Sequence, residues 1–134
     1  MPTAQKVLLI YGVVVLVYAF ALGFAMAKAR STAASAPRAL TNTHLSGLMQ
    51  APLHFGLAAA LATTGFTGGA ATAGAVLLVV GCAMEQVGAT VNWVQHTTDQ
   101  FAQRSLGFKF NAAGGPLMMV GAVILAVGII TNLG

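Results

Sequence analysis

Four apolar stretches, each about twenty residues long and separated by short polar linkers, fix the solvent in which this chain can fold. They run from about Val7 to Ala27, His44 to Thr64, Ala70 to His96 and Ala112 to Thr131. A helix needs roughly 20 mainly apolar residues to cross a bilayer. In lipid the backbone must also satisfy its own hydrogen bonds, which restricts spanning structures to helices and closed barrels. The pattern predicts an all-α integral membrane four-helix bundle, one domain over residues 1–134 in a lipid bilayer, with no separate soluble module. Composition agrees: only 6% of residues are charged, against about 25% in soluble domains.

The linkers carry the topology. Lys28 to Thr43 is rich in Ser, Ala and Thr, and Asn42 or Thr43 is the expected N-cap of the second span. Gly65 to Gly69 is short enough only for a helical hairpin, and Thr97 to Asn111 forms a polar loop. Both termini then share one side of the membrane with the hairpin. The other side holds Lys28, Arg30, Arg38, Arg104 and Lys109 against Lys6 alone on the terminal side. The positive-inside rule puts those two linkers in the cytoplasm. The basic residues are scattered and form no patch, so no nucleic-acid partner is expected. Cys82 has no partner for an intrachain disulfide. The first span is longer than a signal-peptide core and is expected to be retained.

Polar residues inside the spans point to chemistry. At about 100° per residue, Glu85, Gly88, Ala89, Asn92 and His96 share one face of the third span. A carboxylate at that depth costs about 2.5–3.5 kcal/mol on insertion scales. Glu85 must therefore face protein or a wet cavity, or carry a proton. It serves as a proton donor, a base or an orienting group, or else makes an ordinary interhelical hydrogen bond. His44 opens the second span, with Gly47 and Ala51 on the same face, where small side chains let a helix or a flat cofactor approach. A neutral imidazole there suits an axial position on haem iron. Pro52 frees the Leu48 carbonyl beside Gln50. His54, about 80° round the helix from His44, shares the cavity or faces a neighbour. Gly114, Gly121 and Gly128 form a small-residue stripe on the fourth span, suited to close helix packing or to an oligomer interface. Tyr11 and Tyr18 share a face of the first span, where they line a pocket or pack as aromatics. There is no Gly-rich phosphate loop, nucleophile elbow or acid pair, which argues against hydrolases and nucleotide enzymes.

The run His44-Leu45-Ser46-Gly47-Leu48-Met49-Gln50, entering the second span of a small four-span chain, resembles the membrane isomerases that include hydroxylaminobenzene mutase and styrene oxide isomerase. Those enzymes place a histidine six positions before an amide, usually asparagine, where this chain has Gln50. Gly88-Ala89-Thr90-Val91-Asn92-Trp93 resembles the Gly-x-x-x-Asn-Trp run of the mutase branch, with a weaker echo in Arg104 to Phe108. The resemblance implies a homotrimer in a bacterial inner membrane, with haem b at the subunit interface and His44 as the iron ligand. Gly47 and Ala51 would border that cofactor. Gln50 would hold the substrate oxygen and Asn92 would sit beside the same pocket, with Glu85 and His96 as further catalytic candidates. The epoxide branch uses a tyrosine about four residues after the span-three asparagine, near Gln95 or His96 here, and this departure favours the mutase branch.

The reaction so implied rearranges a small aromatic oxygenated substrate, an aryl hydroxylamine to an aminophenol or an aryl epoxide to an aldehyde, without net redox change. Ferric haem with one protein ligand acts as a Lewis acid toward the substrate oxygen. A dry apolar pocket protects the resulting cation from water. The alternatives are a haem-carrying electron-transfer subunit that uses both His44 and His54, and a small oligomeric transporter.

Overall fold

A computed structural model describes residues 1–133 of the chain. They fold as α1 (Thr3–Thr32), α2 (Arg38–Thr64), α3 (Gly68–Val94) and α4 (Leu106–Thr131), with no strand among the described residues. Each helix is long and apolar enough to cross a membrane. Large apolar side chains such as Phe24, Met49, Met119 and Ile130 stand more than half exposed on the outside. A lipid bilayer is the environment that suits such a surface.

All four helices begin before the apolar stretches that announced them, and α3 ends at Val94, short of the expected His96. α2 begins at Arg38, where the Pro37 carbonyl accepts from the Thr41 N–H at 3.0 Å. The expected cap at Asn42 or Thr43 is therefore overturned. Thr43 lies inside the helix, wholly buried, and its hydroxyl donates to the Ala39 carbonyl at 2.7 Å. α4 begins at Leu106, with the Ser105 hydroxyl accepting from the Phe108 N–H at 3.0 Å as an N-cap. Six of the fifteen residues of the expected third polar linker, Leu106 to Asn111, are thus helix. Hydropathy marks where lipid begins, whereas caps and proline mark where helical hydrogen bonding begins.

Packing is built around α2 and α3. α1 lies mainly on α2 and α4 mainly on α3, and the backbones of α1 and α4 stay apart. The α3–α4 seam is made of glycine on both sides: Gly74, Gly81 and Gly88 face Gly107, Gly114 and Gly121, each series repeating every seven residues, while Gly128 continues the α4 series and makes room for the Phe66 ring. A methyl added at Gly81 would lie 2.6 Å from the Met118 nitrogen and 2.7 Å from the Gly114 carbonyl oxygen. The backbones therefore touch directly, as small residues permit in membranes. The stripe expected on the fourth span packs within the bundle, while Ala122 and Ala126 point outward.

The interior is layered along the helix axes. At the terminal end, Leu8, Leu61, Leu78, Cys82 and Leu125 form a fully apolar core with small alanines between them. Polar side chains take over about one helical turn above Leu8, and a cavity opens at the linker end.

Candidate functional site

Glu85 on α3 faces α2. The Ser46 hydroxyl lies 2.9 Å from both carboxylate oxygens and has one hydrogen to share between them. The Gln50 amide, one turn further along α2, also donates to Glu85. With its hydrogen committed to the carboxylate, Ser46 accepts from Gln50 Nε2 at 3.3 Å and from Gln86 Nε2 at 3.1 Å. The Tyr11 hydroxyl of α1 closes the network by donating to Gln50 Oε1 at 2.8 Å. Five side chains from three helices thereby fix one another's orientation. Gln86 must present its nitrogen to Ser46, and its Oε1 is left buried without a partner. Networks of this kind rigidify when complete and are expensive where one end is unpaired.

A cavity of about 460 Å³ runs from the linker end down to Glu85, walled by Arg38, Asn42, Asn92, Asp99, Gln100 and Asn111 among others. Asn92 acts as a clasp at its edge. Its Nδ2 donates to Gln100 Oε1 at 2.8 Å, and its Oδ1 accepts from the Ser105 hydroxyl at 2.7 Å. The clasp ties the loop after α3 to the cap of α4. Asn111 Nδ2 reaches the same Gln100 oxygen at 3.2 Å, and its own Oδ1 is buried without a partner.

On the other side of α3, an apolar groove of about 340 Å³ lies between α1 and α3, with Tyr11, Tyr18, Val14, Gln86 and Val87 on its walls. Both tyrosines line it, as their shared face allowed. Thr90 donates to the Gln86 carbonyl at 2.7 Å, so Tyr18 donates to Thr90, 2.5 Å away.

The histidines part company. His44 lies against α1, with Nδ1 2.7 Å from the Ala19 carbonyl oxygen. A carbonyl only accepts, so Nδ1 carries the hydrogen and Nε2 of the neutral ring keeps its lone pair. Gly23 makes room for this approach: a Cβ there would lie 3.2 Å from His44 Cε1. Gly47 and Ala51, expected to border a cofactor, are filled from within. A Cβ on Gly47 would lie 3.0 Å from Ala19 Cβ, and Ala51 is fully buried. His54 is wholly enclosed, donating from Nδ1 to the Gln50 carbonyl at 2.7 Å, with its ring 4.7 Å from that of Tyr11. Its Nε2 has no partner.

His96 does not join the Glu85 face. α3 ends at Val94, and His96 follows in the left-handed region at φ 53°. The His96 N–H bonds to the Trp93 carbonyl at 3.1 Å and the Thr97 N–H to the Asn92 carbonyl at 2.9 Å, a Schellman ending. That turn carries His96 off the helical face and leaves it exposed.

The structure thus brings Gln50 and Glu85 into contact and puts Asn92 on the wall of the same cavity. His44 sits apart, toward α1, and His96 lies outside. Ser46, Gln86 and Asn111 were not anticipated. Their signal was a polar residue within or beside an apolar span. Comparison with protein-family models, with curated proteins and with solved structures finds no match for this chain.

Proposed function

We propose that the chain is a membrane-bound, haem-dependent isomerase of the hydroxylaminobenzene mutase and styrene oxide isomerase type. It rearranges an aryl hydroxylamine to an aminophenol, or an aryl epoxide to an aldehyde, as a homotrimer in a bacterial inner membrane. The observation that carries this reading is the state of His44. Its Nδ1 is anchored on a backbone carbonyl and its Nε2 lone pair has no partner among the described residues. Metal-binding histidines are commonly oriented in this way, the second nitrogen fixing the tautomer and ring plane. Exposed Leu45 and Met49 beside it on α2 offer apolar surface to a flat ligand. The residues present therefore fit an axial ligand for haem b, although Gly47 and Ala51 serve the α1–α2 contact instead.

Haem b held there supplies a Lewis-acidic iron toward the substrate oxygen. The chain's own residues do the rest. Gln50 has its amide orientation set by Tyr11 and Glu85, and with its N–H groups given to Glu85 and Ser46 it holds the Glu85 carboxylate in a fixed position. Glu85 is the one acidic side chain inside a span and has a polar cavity beside it. It takes the proton that the ring carbon must lose when hydroxyl returns to an aryl amine. Within one chain the His44 ring is held against α1, while Glu85 opens to the linker-end cavity, which His44 does not line. This reading therefore takes the two sides of the substrate pocket from neighbouring subunits.

An electron-transfer role with His44 and His54 on one iron is disfavoured. The two are ten positions apart, roughly 15 Å along α2, and His54 is wholly buried. The test is an absorption spectrum of detergent-purified protein before and after dithionite, with a pyridine haemochrome assay and turnover of hydroxylaminobenzene and styrene oxide. Stoichiometric haem b and rearrangement, both lost in His44→Ala, are expected. Haem retained in His44→Ala overturns the assignment of that residue. Rearrangement without haem removes the iron and leaves Glu85 as the acid–base group. No haem and no rearrangement sinks the proposal, and substrate flux in proteoliposomes then becomes the measurement that matters.

A further inference from the structure

The two amides bound into the Glu85 network are held unequally. Gln50 is pinned at both ends, since its Oε1 accepts from Tyr11 and its Nε2 donates to Glu85 Oε2 and to Ser46. Gln86 is pinned at one end only, by the bond from its Nε2 to Ser46 Oγ at 3.1 Å, and its Oε1 is buried without a partner. The residue is only 6% exposed, so bulk water does not make up that loss. Turned over, the same amide would pair through its oxygen and leave its nitrogen unpaired instead. One end goes unpaired either way, so the choice falls to Ser46.

Glu85 in turn decides for Ser46. An ionised carboxylate only accepts, so the Ser46 hydrogen goes to Glu85 and Ser46 can only accept from Gln86. A proton on Glu85 reverses each step. Gln50 keeps Oε2 as its acceptor, which leaves Oε1 to carry the proton, 2.9 Å from Ser46 Oγ. Oε1–H then donates to Ser46, whose own hydrogen is released. The acceptor in this network that lacks a partner is Gln86 Oε1. It reaches Ser46 when the amide turns over.

We propose that Glu85, Ser46 and Gln86 form a proton-operated hydrogen-bond switch, in which protonation of Glu85 from the linker-end cavity turns over the Gln86 amide at the wall of the α1–α3 groove. The proton comes from cavity water and returns to it, and no other covalent bond changes. It is a two-state element biased by one local charge. The other ionisable groups around Glu85 are Tyr11 of α1, reached through Gln50, with His54 of α2 beyond it, and Cys82 on α3 itself. Arg38 of α2 and Asp99 of the loop stand on the cavity walls. α4 has Lys109 alone, exposed and off those walls. The switch needs neither His44 nor haem.

Nuclear magnetic resonance in micelles tests it without an activity assay. Glu85 is the sole glutamate, so cell-free synthesis with 13C-carboxyl glutamate gives one carboxyl signal, and 15N-amide glutamine reports Gln86, assigned through Gln86→Leu. A Cβ at Gly47 would lie 3.6 Å from Gln86 Nε2, so a Gly47 α-hydrogen faces the amide hydrogens and gives a nuclear Overhauser contact. Between about pH 4 and about pH 9, a range that brackets carboxyls in proteins, that contact should be present while Glu85 is ionised. It should vanish with the same midpoint as Glu85 protonates. Glu85→Gln, whose nitrogen donates to Ser46 as the protonated acid does, should lack the contact at every pH. In Ser46→Ala the Glu85 signal should still titrate while the contact no longer follows it; should that variant fail to fold, Glu85→Gln decides. The switch is overturned by a contact that persists through Glu85 protonation, that is present in Glu85→Gln, that still follows Glu85 in Ser46→Ala, or that is absent throughout. A Glu85 carboxyl that does not titrate in this range overturns it as well.

Discussion

Replacing Gly81 by alanine measures what the α3–α4 seam is worth. The new methyl would meet two backbone atoms, the Met118 nitrogen at 2.6 Å and the Gly114 oxygen at 2.7 Å. Ordinary contact lies near 3.5 Å, so the helices must part by about 0.8 Å. Neither obstacle is a side chain that can rotate away. Overpacking of this kind costs about 1–3 kcal/mol, and a rigid backbone obstacle puts Gly81→Ala toward the upper figure. Alanine returns about 1 kcal/mol through helix propensity. The net expectation is a loss of about 1–2 kcal/mol. Gly115 is the matched control on α4, because a methyl there meets nothing within 4 Å. Gly115→Ala should be neutral or stabilising by up to about 1 kcal/mol. Reversible unfolding in mixed micelles, followed by far-UV circular dichroism and by the fluorescence of the sole tryptophan, Trp93, reads both variants. Equal stability of Gly81→Ala and Gly115→Ala would refute the claim that glycine sets the seam.

Three further outcomes are expected. Ser46→Ala removes the hydroxyl shared by Glu85, Gln50 and Gln86 and strands the Gln86 amide, lowering stability by about 1–3 kcal/mol in the same unfolding assay; an unchanged midpoint would mean the network contributes nothing net. Gly23→Ala, whose methyl would lie 3.2 Å from His44 Cε1, should lower the haem-to-protein ratio at unchanged thermal stability; full loading would show that Gly23 does not seat the ring. Asn92→Ala cuts the links to Gln100 and Ser105, and hydrogen exchange should speed up between residues 96 and 105 while the rest of α3 stays protected; equal protection throughout would remove the clasp.

The membrane bundle was legible because four apolar runs have one cheap solution in lipid. The helix ends were not, because Arg38 to Thr43 and Leu106 to Asn111 are too polar to register as spans and yet are helical. Glu85 could be read from sequence because a carboxylate inside a span needs an explanation. Gln50 entered through the resemblance, and its contact with Glu85 depends on the register of α2 against α3. Ser46 and Gln86 are ordinary residues until that register brings them within 3.1 Å of each other. His96 shows the reverse failure. Helical-wheel arithmetic assumes that the helix continues, and here a Schellman turn removes the last member of the face.

The glycine series on α3 has a consequence for where chemistry can sit. Seven-residue spacing keeps Gly74, Gly81 and Gly88 on a single line facing α4, so that side of α3 is committed to backbone contact along most of its length. Glu85, about 40° round from Gly81, falls at the edge of that line, where α4 holds close and α2 stands across from it. Gln86 falls a further 100° on, toward the α1–α3 groove that it lines. Adjacent positions in sequence thus supply one carboxylate to a polar cavity open at the linker end and one amide to an apolar groove, with Ser46 joining them from α2. A one-residue shift of the glycine repeat would turn α3 by about 100° against α4 and take Glu85 off the cavity edge, so the register of the seam decides which side chain meets water.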